Sequence, residues 1–185
     1  DVSILNNLGF ALLEGDSSAV ERATALLQDA YGRDPFSPSV LDSLGWLRYL
    51  EGRHGPDDAD GALLLISQSI ESRLAAGRSV SGEVLLHFGD AAWRAGRQSD
   101  AVNAWSGITR KSLTARERTG RLAAYADYQK EIWGRVFTPP AEMYEDIEGR
   151  WIQAAELRLR AIAEGGPPPV TPTFSERERV QNSSE

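Results

Sequence analysis

The sequence predicts an all-α solenoid of three helical hairpins in tandem, closed by two further helices. Three observations predict it. One motif, a Leu followed three places on by an apolar residue and then at once by Gly, occurs three times: Leu5, Leu8, Gly9; Leu41, Leu44, Gly45; and Leu85, Phe88, Gly89. Each copy closes on a second glycine six or seven residues later, at Gly15, Gly52 and Gly96. Behind each copy, a second apolar stretch carries an alanine, Ala23, Ala62 or Ala101. The apolar residues between recur at helical spacing, as at Ala62, Leu65, Ile66, Ser69 and Ile70, one face of a 3.6-residue period. A supersecondary unit repeated in this way cannot cover its own apolar face and must stack on its neighbours.

Taken in order, the first helix covers residues 3–14 on Leu5, Leu8 and Leu12 and breaks at Gly15 and Asp16. Ser18 with Glu21 has capping-box spacing and opens the second helix, striped by Ala23, Leu27 and Ala30. Asp34 and Pro35 stop it. Ser37 then caps a third helix with Pro38 in its first turn, where the missing N–H costs nothing. That helix carries Leu41, Leu44 and Gly45, and a loop from Arg53 to Asp60 follows it. The fourth helix bears the Ala62 stripe and breaks at residues 76–79. The fifth carries Leu85, Phe88 and Ala92, and the sixth Ala101, Ala104, Trp105 and Ile108.

The small residues have a mechanical reason. Two helices in a hairpin approach closely only where a side chain is missing or tiny, and Gly inside a helix costs about 0.8–1.0 kcal/mol relative to Ala. Gly9, Gly45 and Gly89 on the first helices, facing Ala23, Ala62 and Ala101 on the second, imply that close packing outweighs that cost. Gly9 and Gly45 lie 36 residues apart, Gly45 and Gly89 lie 44 apart. The extra residues are expected in two loops, between Gly52 and Ala62 and between Ser69 and Gly89, where closure entropy grows only logarithmically with length.

After Arg110 the pattern changes. Thr114 and Glu117 form another capping-box pair ahead of a long helix with Leu122, Tyr125, Tyr128, Ile132 and Val136 on one side. Thr138, Pro139 and Pro140 break it. A last helix follows, striped by Ile147, Trp151, Ala155, Leu159 and Ile162. Lacking the small notches, this pair is expected to cover the end of the array. From Gly165 the composition becomes that of a linker, with Pro167, Pro168, Pro169 and Pro172 favouring an extended backbone. Disorder is the expected state of the polar end from Ser175 to Glu185. The alternative is that residues 170–174 are pinned along a groove, the chain's own or a neighbour's.

Composition narrows the function. The 185 residues are 41% apolar and 25% charged, an ordinary balance for one domain. Twenty basic against 27 acidic side chains leave a formal charge of −7 and no basic block. That disfavours nucleic acid, whose phosphates need a positive face. The absence of Cys excludes disulfides, thiolate metal sites and Cys nucleophiles. No apolar run approaches the roughly 18 residues of a membrane span. The first residue is Asp rather than Met, which is expected of an excised piece or a processed product.

The run from Leu41 to Trp46, the pattern His87, Phe88, Gly89, Asp90, Trp93, Arg94, Gly96, Arg97, and the pair Ala101 and Trp105 together resemble the tetratricopeptide repeat family. The resemblance covers residues 1–110 as three units, about 1–36, 37–78 and 79–110, against a typical repeat of about 34 residues. It implies a right-handed α-α superhelix, with residues 111–164 as a C-terminal helical cap and 165–185 as a Pro-rich extended or disordered tail. It is similar to a bacterial subgroup commonly exported to the cell envelope, often as lipoproteins, some of them adaptors that deliver substrates to proteases or cell-wall enzymes. Two departures stand: Ile108 occupies a position usually small, and the proline that ends a unit occurs once, at Pro35.

In that family the first helices line a concave groove, which implies inward positions at Asn6, Phe10, Asp42, Trp46, Tyr49, His87, Asp90, Trp93 and Arg94. Aromatic rings beside carboxylates there suit an extended peptide or a helix bearing a basic residue. The alternative is that Trp46, Tyr49 and Trp93 pack beneath the cap. The Lys/Asn clamp that some members use for a peptide carboxylate is absent. His54, among Asp57, Asp58 and Asp60, lacks calcium-loop spacing, and no metal site or cofactor is expected. His87 beside Asp90 has the spacing of a base and its orienter, but no nucleophile motif accompanies it, so no catalytic residue and no enzyme activity are expected. The acidic start of the last helix (Glu142, Glu145, Asp146, Glu148) reads as a solvated face. The expectation is a scaffold or adaptor that binds a protein or peptide partner through the concave face. The alternative is an assembly or dimerisation module of a larger protein or enzyme complex, which leaves homo-oligomerisation open.

Overall fold

In a computed structural model of the chain, residues 1–15, 19–55, 57–112 and 141–183 are described, and among them every regular element is helical. The helices are α1 (Val2–Gly15), α2 (Val20–Arg33), α3 (Pro38–Leu50), α4 (Ala62–Ala75), α5 (Gly82–Arg94), α6 (Gln98–Ser112), α7 (Ala141–Ala163) and α8 (Phe174–Asn182). They pair as hairpins, α1 with α2, α3 with α4 and α5 with α6. The odd-numbered members α1, α3 and α5 also lie side by side, and α7 packs across α5 and α6. The expected helix at residues 114–136 and the Ser18 cap fall outside the described residues.

The glycine notches are where the hairpins close. A β-carbon on Gly9 would stand 2.8 Å from Leu27 Cγ and 3.3 Å from the Ala23 carbonyl oxygen. One on Gly45 would stand 2.7 Å from Ile66 Cγ1 and 3.2 Å from its backbone nitrogen. One on Gly89 would enter the Trp105 indole. In each hairpin the residue that fills the notch lies four positions beyond the alanine: Leu27 after Ala23, Ile66 after Ala62, Trp105 after Ala101. All six side chains are fully buried. The closing glycines have a separate cause. Gly52 and Gly96 sit at φ 81° and 76° just past α3 and α5. The next N–H bonds back to the helix, Arg53 to the Arg48 carbonyl and Arg97 to the Ala92 carbonyl, both at 2.8 Å. That left-handed turn is strained for any residue with a β-carbon.

The extra length of the second hairpin is divided differently from expectation. The loop between α3 and α4 takes its share, held by Arg53 to Asp58 (2.9 Å) and Arg48 to Asp60 (3.2 Å). Beyond Ile66, however, α4 continues for nine residues where α2 continues for six beyond Leu27. The rest of that insertion is therefore mostly helix. Ser37 and Ser81 do precede α3 and α5, and the Ser81 hydroxyl accepts from the Val84 N–H at 3.4 Å.

At the end of the chain, residues from Ser175 to Asn182, expected to be disordered, belong to the helix Phe174–Asn182, and residues 170–174 lie against the chain's own helices, as the pinned alternative has it. After a left-handed turn at Gly165, residues 167–173 carry no regular secondary structure, turn at Pro169 where the Val170 N–H donates to the Pro168 carbonyl at 2.8 Å, meet α3 and α5 at Thr171, and lead into α8. Thr173 caps α8 through a capping box with Glu176. Pro168 and Thr173 are buried, and Val170 and Phe174 pack against the core, while α8 itself buries no residue.

Candidate functional site: the face of α1, α3 and α5

Residues one or two positions from the notch glycines, and their partners a turn away, point off the hairpin contact toward the neighbouring odd helix. That register brings Asn6 and Phe10 of α1, Asp42 and Trp46 of α3, and His87 of α5 together. The His87 ring stacks on Trp46 with centroids 4.0 Å apart and planes at 16°. Trp46 in turn stacks on Tyr49 at 4.7 Å and 3°. Phe10 tilts against His87 at 5.9 Å. The Trp46 indole N–H donates to Glu14 Oε1 at 3.2 Å. His87 Nδ1 lies 3.2 Å from Asp42 Oδ1, both groups buried.

This stack divides the face in two. On one side, near the first turns of α3 and α5, an open cleft of about 170 Å³ is lined by Asn6, Asn7, Asp42, Ser43, Arg73 and Glu83, among others. Asn6 is 6% exposed, and its Oδ1 is buried without a hydrogen-bond partner. The Glu83 carboxyl is raised by burial, with the Asp42 and Glu14 charges adding to the rise. Burial pulls the His87 imidazole down, but the Asp42 charge and hydrogen bond outweigh it and leave its pKa raised.

On the other side, the face is filled by the chain itself. Asp90 is fully buried and meets Arg158 of α7 in a two-pronged pair, Nε to Oδ1 and Nη2 to Oδ2, both at 2.7 Å. The Thr171 N–H donates to the same Oδ2 at 2.9 Å. The Tyr49 hydroxyl donates to the Thr171 carbonyl and accepts from Arg94 Nε at 3.4 Å. Arg94 forms a second two-pronged pair, with Glu176 at 2.7 and 2.6 Å. Burial pushes the Tyr49 phenol up, while the bonds from Arg94 and the Thr173 N–H hold the Glu176 carboxyl down at about 2.

Eight of the nine residues expected on the groove meet here, in the cleft, the stack or the arm contacts. Trp93 is set apart: its ring lies 6.0 Å from Trp105, on the α6 side. His87 and Asp90, which have the spacing of a pair, do not meet: Asp90 is committed to Arg158 and His87 pairs with Asp42. Trp46 and Tyr49 are buried, as the packing alternative requires, though what covers Tyr49 is the C-terminal arm as well as neighbouring rings.

Arg158, Thr171, Glu176, Glu14 and Glu83 were not expected at the site. Thr173 and Glu176 carry the capping-box spacing that marks a helix start, a signal present in the sequence. His54 stands apart, its ring 6.2 Å from Tyr49, and Asp58 and Asp60 face arginines. No described helix is long and apolar enough to cross a membrane. Searches against protein-family models, curated proteins and solved structures return no match to this chain.

Proposed function

We propose that this chain is a protein-binding scaffold whose α1, α3 and α5 face takes a polypeptide segment of a partner. One observation carries the reading. That face holds a stretch of the chain's own polypeptide at Thr171, whose carbonyl and N–H meet Tyr49, Asp90 and Arg94, three of the side chains expected to hold a partner. Hydrogen bonds to main-chain groups are one general source of affinity for bound peptide segments. The cleft beyond the Trp46–His87 stack is the part left open, with acceptors at Asn6, Asp42 and Glu83 and a donor at Arg73.

Affinity capture from the chain's own cells tests this. Asn7→Arg and Ser43→Arg would fill the cleft, and Arg22→Glu on the exposed side of α2 serves as control. The same retained protein should be lost with the first two variants and kept with the third. Retention that is identical in all three removes the reading.

A second reading has its own observation. On α1, Ile4 is 66% exposed and Leu8 41% exposed, one turn apart. Apolar groups in that arrangement suit assembly with another helix. If assembly is the role, sedimentation should show a dimer that Ile4→Ser with Leu8→Ser dissociates.

A further inference from the structure

Resting on the reading of this face as a polypeptide site, the geometry points to the arm at residues 168–176 as an exchangeable occupant. The partner it stands in for is an acidic extended segment that offers the main-chain N–H and C=O of one residue and a carboxylate side chain five positions later.

The receiving side is complete without the arm. Asp90 already takes two N–H groups from Arg158, so the Thr171 N–H is an addition to a satisfied carboxylate. If the arm leaves, the Tyr49 hydroxyl keeps Arg94 Nε as a partner. Arg94 loses most, both bonds to Glu176 and a 3.5 Å contact to the Thr171 carbonyl, while Arg158 Nη2 gives up a 3.3 Å bond to the Thr171 hydroxyl and Tyr49 the carbonyl it donates to. What remains is one guanidinium beside a buried hydroxyl and a buried carboxylate. These are the groups needed to receive a carboxylate, a carbonyl and an N–H from another chain.

The arm's own attachment is slight by comparison. α8 buries no side chain, and the arm's apolar anchors are Pro168, Val170 and Phe174. It joins α7 through Gly165 and Gly166, so it can swing without breaking a helix. Prolines 167–169 stiffen the start of the arm, which turns at Pro169. The Arg94–Glu176 pair is partly exposed, the kind of contact that sets register and partner charge rather than fold stability.

The test uses a fluorescein-labelled peptide of residues 167–183 and the full chain. The tethered arm acts at an effective concentration of order mM, so the unaltered chain should bind the peptide weakly. Glu176→Lys loosens the chain's own arm and leaves the receiving face intact. It should bind the unaltered peptide at least about tenfold tighter by anisotropy, with helix content falling by no more than the nine residues of α8, whose capping box uses Glu176. Arg94→Glu in the otherwise unaltered chain mismatches its own Glu176 arm; that chain should not bind the unaltered peptide and should bind a peptide carrying Glu176→Lys.

A Glu176→Lys chain that is folded but binds no tighter than the unaltered one overturns the inference. Amide exchange supplies a readout that needs no variant. The Thr171 N–H should exchange well before the N–H groups in the middle of α4, and exchange only on global unfolding contradicts an exchangeable arm. If inner-face variants lose partner capture while the peptide fails to bind, this inference falls and the scaffold reading stands. Peptide binding without partner capture has the opposite consequence.

Discussion

His87 and Asp42 meet at 3.2 Å beneath the Trp46 ring, a buried pair 45 residues apart in sequence whose carboxylate also borders the open cleft. Burial opposes the imidazolium, but Asp42, with Glu83 and Glu14 behind it, raises the His87 pKa above its ordinary value near 6.5. A group whose folded pKa is raised contributes stability that is full below the unfolded value and lost as pH rises through the folded one. Urea denaturation should therefore show the chain losing stability as the pH rises above the ordinary histidine value near 6.5. His87→Gln should flatten that slope, and an unchanged slope counts against the pair.

Gly45 gives the packing test. Alanine there gains about 0.8–1.0 kcal/mol of helix propensity. Its β-carbon meets Ile66 side chain and backbone, an overpacking that typically costs about 1–3 kcal/mol. Gly45→Ala should therefore be net destabilising. Gly32→Ala, in α2 with nothing within 4 Å, should be neutral or stabilising by up to about 1 kcal/mol. Chemical denaturation of the two variants compares them directly. Equal effects contradict the notch.

Arg158 is the sole cation paired with Asp90 among the described residues, at 6% and 0% side-chain exposure. Removing one member of a buried pair strands the other and typically costs about 3–5 kcal/mol. Arg158→Leu should cost that much, whereas Arg158→Leu combined with Asp90→Leu should recover most of it. Thermal and urea unfolding of the single and double variants would show whether the loss comes from the stranded carboxylate.

Glu176 predicts how the arm responds to acid. Its carboxyl is held at about 2, chiefly by the hydrogen bonds from Arg94. A depressed folded pKa contributes stability above the unfolded value, near 4.5, that is lost as pH falls through the folded one. Exchange-corrected protection of the Thr171 amide should hold at pH 5 and decline toward pH 2. Glu176→Gln should remove that dependence.

The hairpins and the face they build were legible because they rest on periodic residues. The notch glycines, the alanines and the inner positions of α1, α3 and α5 repeat at fixed offsets, so one copy predicts the next. Arg158, Thr171 and Glu176 were not, because contacts spanning 68–122 residues leave no period in the chain. The arm's proline-rich composition reads as a linker in isolation. Its contacts with Tyr49, Asp90 and Arg94, all placed by the repeat, together with Arg158, make it an ordered strap. Trp93 was misplaced for a related reason: it lies one turn beyond Gly89 and follows that glycine toward α6 rather than toward α3.

Photo-crosslinking from the open cleft tests the central claim most directly. A benzophenone side chain at Asn7, with the same group at Arg22 on α2 as reference, is introduced into the full chain in its own cells. The account predicts a discrete polypeptide adduct from Asn7 that Arg22 does not give, and a stronger adduct when Glu176→Lys loosens the arm. No adduct from Asn7, or the same adducts from both positions, would contradict it.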